Sequence, residues 1–168
     1  MNKKAFTLVE LAVVLLVIGI LAGLLLRNLG GFTSAARDQR RIGDLRNVSS
    51  LITTYYVRRG QYPTATTWSN LEQALKDAGV LTPGTRLPND PTAPTISYKY
   101  SYCTSTSSGR ITNYVLKAQL ESNRQQAPDL FKDSITYTDI SNAGLSCPGI
   151  TASECSSTGA SSDYCLLF

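Results

Sequence analysis

The sequence contains no histidine, and this absence excludes several kinds of active site. Histidine is the commonest general base and the commonest metal ligand in proteins. A Ser-His-Asp triad is therefore excluded. The sequence also lacks a Cys-x-x-Cys pair, which argues against zinc or thioredoxin-like chemistry. It has no paired-carboxylate motif either, so we expect no enzyme, no catalytic residue, no cofactor and no metal ligand set.

Positive charge is too sparse to indicate a nucleic-acid partner. The formal net charge is +4, and it falls to about +2 if Met1–Ala5 is removed, because Lys3 and Lys4 leave with that segment. A balance this small gives no argument for nucleic-acid binding by charge alone.

The cysteines are even in number and lie in the second half of the chain, behind an apolar N-terminal segment. This arrangement predicts two disulfide bonds formed outside the cytoplasm. Four cysteines permit three connectivities, and all three remain open at this point. The residues concerned are Cys103, Cys147, Cys155 and Cys165.

An apolar run covers residues 6–26 and contains one charged residue, Glu10. As a helix it would measure about 31 Å, the thickness of a bilayer core. A cleaved secretory signal is one interpretation, but its apolar region is normally shorter. An ordinary membrane anchor explains everything except Glu10, since a charge inside a span costs about 2.5–3.5 kcal/mol and needs a partner. A third interpretation accounts for Glu10 as well.

The third interpretation rests on a resemblance. The stretch Ala5-Phe6-Thr7-Leu8-Val9-Glu10 resembles the N-terminus of the type IV pilin and pseudopilin family, in which a basic leader is cut off before Phe-Thr-Leu-(Ile/Val)-Glu. The resemblance implies that residues 1–5 are a leader removed by prepilin peptidase after Ala5. It also implies methylation of the new terminus at Phe6.

The same resemblance assigns residues 6–30 to a transmembrane and assembly helix. In the family, the carboxylate at Glu10 pairs with the terminal amine of Phe6 in a neighbouring subunit. Two residues depart from the family pattern: Ala5 stands where glycine is usual, and Arg27 stands where many members have proline.

Glycines replace that proline as the expected source of helix flexibility, because each costs a helix about 1 kcal/mol relative to alanine. For Gly19 and Gly23, close packing against another helix through small residues is the alternative role. The four positions are Gly19, Gly23, Gly30 and Gly31.

Helical periodicity continues beyond residue 31, and the apolar stripe predicts an amphipathic helix. Its members are Ile42, Leu45, Val48, Ile52 and Tyr55. Gly60 and Pro63 predict its end, so that one helix of about 80 Å runs from residue 6 to residue 58. The ending Tyr55-Tyr56…Gly60-Gln61-Tyr62-Pro63 resembles the major pseudopilin type.

Several arginines on this helix raise the question of DNA capture. A surface with local ion pairs is the interpretation that we favour, because no nucleic-acid motif accompanies the charge. The residues are Arg37, Arg40, Arg41, Arg46, Arg58 and Arg59.

Residues 31–168 predict a small head. A capping-box pattern at Ser69–Glu72 opens a short helix. Alternating patterns over 96–102 and 111–120 predict a hairpin, and a third strand is expected near 135–138. The fold class is α+β: a long N-terminal helix packed on a small antiparallel sheet, with a C-terminal loop region held by disulfides.

Alternating tyrosines on the first strand could form a ligand platform, but we favour a core role with hydroxyls at the rim. Asp129, Asp133 and Asp139 resemble the calcium-binding loop of some major pseudopilins, although their spacing is not that of a known calcium loop. A bound calcium ion is therefore the alternative to the expectation of no cofactor. Residues 141–163 are rich in small and polar side chains, which predicts that disulfides hold them.

These expectations favour a structural subunit of a type IV pilus that polymerises through its N-terminal helix. The alternatives are a major pseudopilin of a type II secretion system and a minor pilin acting as adhesin or DNA receptor. The expected partners are identical subunits, membrane lipid before assembly, prepilin peptidase and an assembly ATPase. The expected location is the cytoplasmic membrane for the precursor, then an extracellular pilus or a periplasmic pseudopilus.

Overall fold

The computed structural model describes residues 7–26 and 29–168. The chain divides into two compact units, Met1–Ala36 and Arg37–Phe168. Helix α1 spans Leu8–Leu26, and helix α2 spans Leu29–Arg59. The predicted single helix is thus present as two described stretches, and the residues that would join them lie outside the description.

Among the described residues, no helix has both the length and the apolar character that a membrane span requires. The predicted membrane segment 6–30 includes residues outside the description and stays a prediction.

The second unit contains the rest of the secondary structure. Helix α3 is followed by strands β1 and β2, a 3-10 turn, the short helix α4, and strands β3 and β4. Their bounds are Trp68–Asp77, Lys99–Ser105, Ile111–Gln119, Pro128–Phe131, Tyr137–Asn142, Leu145–Ser146 and Asp163–Leu167.

One antiparallel sheet has the strand order β3-β1-β2-β4. The predicted hairpin is present, with Tyr100 opposite Leu116. Leu116 in turn lies opposite Leu166 of β4. This helix-and-sheet arrangement confirms the predicted α+β class.

The expected strand near 135–138 is wrong, because a helix begins there. The Thr136 side chain accepts a hydrogen bond from the Asp139 backbone N–H, and the Asp139 carboxylate accepts one from the Thr136 backbone N–H. This reciprocal capping box satisfies two N–H groups at the first turn of α4, so the segment is stabilised as a helix.

The main core lies between α2, α3 and one face of the sheet. The predicted stripe supplies it, with Leu45, Val48 and Ile52 fully buried. Alternate residues of the strands face these side chains, among them Tyr100 and Leu116. Burial of this face is the main source of stability for the unit.

A glycine marks the end of α2, and a threonine side chain caps the start of α3. Gly60 has a φ of +72°, and α2 ends one residue before it, at Arg59. The cap of α3 differs from the predicted capping box: Thr67, not Ser69, accepts the hydrogen bond from the Asn70 backbone N–H. Glu72 instead binds the Lys76 ammonium and the Leu87 N–H.

A second cluster of buried side chains, here called the outer cluster, lies on the opposite face of the sheet. It contains Cys103, Val115, Ile140, Cys147, Ile150, Cys155 and Cys165. The two disulfides are Cys103–Cys147 and Cys155–Cys165. The first links β1 to the tail, and the second links the tail to β4.

Candidate functional site

The carboxylate of Glu10 lies in the first turn of α1 and binds the start of its own helix. Its Oε2 accepts hydrogen bonds from the Thr7 backbone N–H at 2.9 Å and from the Thr7 hydroxyl at 2.8 Å. The Thr7 hydroxyl oxygen accepts one from the Glu10 backbone N–H at 3.3 Å. Thr7 and Glu10 therefore form a capping box, and this role of Glu10 was not predicted from the sequence.

The signal for this box was present, since Thr-x-x-Glu precedes an apolar run. It was missed because the carboxylate was interpreted only as a contact with another subunit. The two roles are compatible, because a carboxylate has about four lone-pair sites and the capping contacts occupy one oxygen.

Apolar side chains of α1 are exposed over residues 8–24. Residues 7–24 are all exposed, and the larger apolar side chains range from 47% exposed at Val17 to 85% at Leu8. Glu10 is the single charged residue of α1. A helix that is apolar all round requires an apolar environment, which another protein surface or lipid can provide.

The structure describes some of the other predicted residues of the N-terminal segment but not all of them. Ala5 and Phe6 lie outside the described residues, so the cleavage site and the pairing with Phe6 stay predictions. Two of the glycines lie in α1 and two in α2, and all have helical backbone. A Cβ added at Gly19 or Gly23 would meet nothing within 4 Å.

In the second unit, one arginine on α2 organises a buried charge cluster. Arg41, Asp38 and Asp90 all have fully buried side chains. Arg41 donates from Nε and Nη2 to both oxygens of Asp90, at 2.7 and 3.0 Å. Its Nη1 donates to Asp38 at 2.8 Å and to Glu121 at 2.9 Å. The guanidinium thus links α2, the loop before β1 and the end of β2.

The carboxylates in this cluster are satisfied from several sides. Asp38 also accepts hydrogen bonds from the backbone N–H groups of Glu121 and Ser122, at 2.8 and 3.0 Å. Such full satisfaction is what a buried ion pair needs, since desolvation otherwise exceeds the attraction. Sequence reasoning missed the cluster, because Asp90 lies 49 residues from Arg41.

The pKa values follow from these contacts. Hydrogen bonds from Arg37, followed by those from Arg41, hold the pKa of Glu121 at about 2 despite its partial burial. Burial alone would raise the pKa of Asp90, but the bonds from Arg41 and Thr92 outweigh it and lower the pKa. Asp90 and Glu121 are therefore ionised at neutral pH, and the cluster is structural.

The remaining arginines of α2 are also engaged locally. Arg37 pairs with Glu121, Arg40 with Asp44 at 3.8 Å, and Arg46 with Asp133 at 2.7 Å. Arg58 and Arg59 donate to backbone carbonyls at the end of α3. This agrees with the ion-pair interpretation of the helix surface.

The three aspartates that resembled a calcium loop have separate contacts. Asp129 pairs with Lys132, Asp133 pairs with Arg46, and Asp139 caps α4. Among the described residues, no group of three acidic or sulfur-bearing side chains is placed to hold a metal ion.

The alternating tyrosines are core residues, as favoured. Of the three on the alternating segment, Tyr98 and Tyr100 are buried, and Tyr102 is partly buried against the main core. Tyr114 of β2 is buried as well. Burial raises the pKa of Tyr98 and Tyr100, and it raises that of Tyr114 to about 12. The Tyr100 hydroxyl donates to the Pro63 carbonyl at 2.6 Å, which ties β1 to the chain after α2.

Comparison with known proteins finds one matching family model and several relatives of one name. Residues 1–26 match the family model described as the prokaryotic N-terminal methylation motif. The protein named type II secretion system core protein G from Pectobacterium carotovorum subsp. carotovorum is 32% identical over 75 residues, which are 45% of this chain and 44% of that protein.

Two further relatives carry the same name. The protein from Aeromonas hydrophila is 29% identical over 100 residues, covering 54% of this chain and 68% of that protein. The one from Escherichia coli strain K12 is 33% identical over 63 residues, covering 38% and 43%. The chain thus spans less than half the length of several curated relatives that it matches. No solved structure matches it.

Proposed function

We propose that this chain, which belongs to the type IV pilin and pseudopilin family, is a structural subunit of a helical filament and polymerises through its N-terminal helix. The observation that carries the proposal is the exposure of all residues from 7 to 24. Apart from Thr7, Glu10 and the two glycines, these residues have apolar side chains. Such a helix needs cover from lipid before assembly and from other copies after it.

Processing comes before assembly in this proposal. Prepilin peptidase cuts after Ala5, and the exposed amine of Phe6 is methylated. The match of residues 1–26 to the methylation motif supports both steps. The precursor is held in the cytoplasmic membrane by residues 6–30. An assembly ATPase then drives filament growth.

Of the two kinds of filament, we favour the surface pilus. The support is the outer cluster, in which two disulfides stabilise a tail rich in serine and threonine on one face of the sheet. Disulfides form both in the periplasm and at the cell surface, so the preference rests on the long polar tail that they hold, which suits a surface exposed to the medium. The pseudopilus of a type II secretion system is the second candidate, and it is supported by the relatives, which are type II secretion system core proteins G.

Two other functions have less support. A DNA receptor needs free cations, whereas the arginines of α2 have carboxylate or carbonyl partners. Catalysis has no support in the described contacts, where the buried charge cluster is fully satisfied. A filament subunit needs no reaction of its own.

The test is to shear filaments from cells that express the chain and to measure the mass of the subunit. We expect a mature chain that begins at methylated Phe6. A chain that keeps Met1 and is found only in membranes would contradict the proposal. Ala5→Gly, which restores the usual family residue, is the matched control for Ala5→Leu, which should block cleavage.

The same preparation separates the two filaments. Filaments recovered from the medium at normal expression support a pilus. Subunits that stay in the periplasm, in cells whose secretion depends on them, support a pseudopilus.

A further inference from the structure

Three adjoining clefts on the second unit share two residues, Trp68 and Asn89. Their volumes are about 460, 270 and 340 Å³. They lie between the start of α3, the loop before β1 and the first residues of β1. We call the combined surface the Trp68 groove, lined by Thr66, Trp68, Ser69, Asn89, Ser97 and Lys99. The largest cleft falls in the size range of small-molecule sites.

Trp68 is half-buried and fixed in position. Its indole Nε1 donates to the Pro88 carbonyl at 3.2 Å. Its ring meets the ring of Tyr98 edge-on, with centroids 5.3 Å apart and an angle of 65°. Tyr98 is itself fixed, because its hydroxyl donates to Asp44 at 2.9 Å. The remaining indole surface is therefore a preorganised aromatic wall of the groove.

Polar side chains around this wall have no partner of their own. Ser69, Asn89 and Ser97 are exposed, and within the described part of the chain their side chains make no hydrogen bond. An amide offers two donors and an acceptor, and each hydroxyl offers a donor and acceptors. The groove thus combines an apolar ring with unengaged neutral hydrogen-bonding groups.

Charge in the groove is mostly neutralised. Lys99 pairs with Glu154, and Lys76 pairs with Glu72 at 2.6 Å. Arg86, at the far end, is the one lining cation without a salt bridge among the described residues. The largest cleft does not include it. A neutral ligand therefore fits the main cleft better than an ionic one.

The geometry points to a binding site for a neutral saccharide. A sugar ring presents an apolar C–H face, which packs on an indole, and a rim of hydroxyls that exchange hydrogen bonds with amide and hydroxyl groups. Trp68 supplies the first contact, and Ser69, Asn89 and Ser97 supply the second. This inference does not rest on filament assembly, because every residue in it belongs to the second unit.

Fluorescence provides a direct test, since Trp68 is the only tryptophan in the chain. The full-length chain is kept in a zwitterionic detergent, because alkyl glycosides would compete for the site. Lactose, cellobiose and N,N′-diacetylchitobiose are titrated separately. We expect at least one of them to change the emission of Trp68 saturably, with a Kd of about 1 mM.

Variants then locate the site. Asn89→Ala removes the amide and should weaken binding about 3- to 10-fold, the effect of one lost neutral hydrogen bond. Asn70→Ala is the matched control, since Asn70 is an exposed asparagine like Asn89, but it lies on α3 and does not line the groove. Trp68→Phe should lower affinity further, measured by calorimetry because the fluorophore is lost.

Three results would overturn the inference. The first is no saturable change with any of the three sugars up to about 30 mM, well above the expected Kd. The second is equal affinity in Asn89→Ala and Asn70→Ala, with circular dichroism showing both folded. The third is binding only to a heparin fragment with loss at high salt, which would assign the contact to charge.

Discussion

At the scale of the residue, the adjacent arginines Arg40 and Arg41 show how position decides energetic role. Arg40 has a side chain 63% exposed and one partner at 3.8 Å. Arg41 has a fully buried side chain and three carboxylate partners. An exposed pair contributes little because water and salt screen it, whereas breaking a buried pair leaves an uncompensated charge.

Replacement of Arg40 and replacement of Arg41 should therefore lower the free energy of unfolding by very different amounts. Arg41→Met should lower the free energy of unfolding by about 3–5 kcal/mol, since Asp38 and Asp90 would stay buried without their cation. Arg40→Met should cost less than about 1 kcal/mol. Urea unfolding in detergent measures both. Equal losses would show that the cluster does not stabilise the unit.

The contacts of Glu154 predict how the free energy of unfolding depends on pH. Burial would raise its pKa, but bonds from Lys99 and Lys117 outweigh that effect and hold the pKa at about 2, below the usual 4.5. A group with a lowered folded-state pKa stabilises the protein above its unfolded pKa, and that contribution is lost as the pH falls toward the folded value.

The free energy of unfolding should therefore fall between about pH 5 and pH 2, with a share of the order of 2 kcal/mol from Glu154. Glu154→Gln should flatten this part of the profile. Asp129→Asn is the control, because its side chain is 83% exposed. Parallel profiles for wild type and Glu154→Gln would contradict the assignment.

At the scale of the element, the sequence predicted what is local and periodic. The stripe from Ile42 to Tyr55 predicted the buried face of α2, and strict alternation predicted β1 and β2. Strand β4 was missed because it is buried on both faces, so that Tyr164, Cys165 and Leu166 form a continuous apolar run without alternation.

The outer cluster was missed for a related reason. The composition of residues 141–163 predicted a tail that cannot build a core of its own. The tail needs few apolar residues to form the outer cluster, because β1, β2 and β4 supply the other buried side chains. The disulfide pairing was equally beyond the sequence, since it depends on which strands lie side by side. The charge cluster around Arg41 joins segments far apart in the chain, and no local pattern indicates it.

The two disulfides should stabilise the folded protein by different amounts. The Cys103–Cys147 bond closes a loop with a sequence separation of 44, and Cys155–Cys165 closes one with a separation of 10. Loop-closure entropy predicts losses of about 4 and 3 kcal/mol, respectively, when each pair is replaced by alanine. Thermal unfolding of the two double variants measures the order. A larger loss for the shorter loop would show that packing in the outer cluster outweighs chain entropy.

At the scale of the whole molecule, the chain has one part whose apolar side chains are buried by its own contacts and another part whose apolar side chains are not. The second unit buries its core, pairs its buried charges and cross-links its tail. The apolar side chains of α1 remain exposed. This contrast is why we propose that other copies of the chain cover α1, in which Glu10 is the single charged residue.

The capping box makes it possible to separate two roles of Glu10 by substitution. Glu10→Gln keeps an oxygen that can accept from the Thr7 N–H, so the helix start is preserved, but the negative charge is lost. Glu10→Val removes both. If pairing with the amine of Phe6 in another copy drives assembly, both variants should reach the membrane and both should yield at least about 10-fold fewer filaments.

If capping alone matters, Glu10→Gln should assemble normally and Glu10→Val should not. Thr7→Val completes the set, because it removes the hydroxyl of the cap while leaving the charge in place. The measurement is filament mass in sheared fractions, normalised to the subunit found in membranes. Normal yield from Glu10→Gln would exclude charge pairing and leave the carboxylate of Glu10 with its capping role in α1.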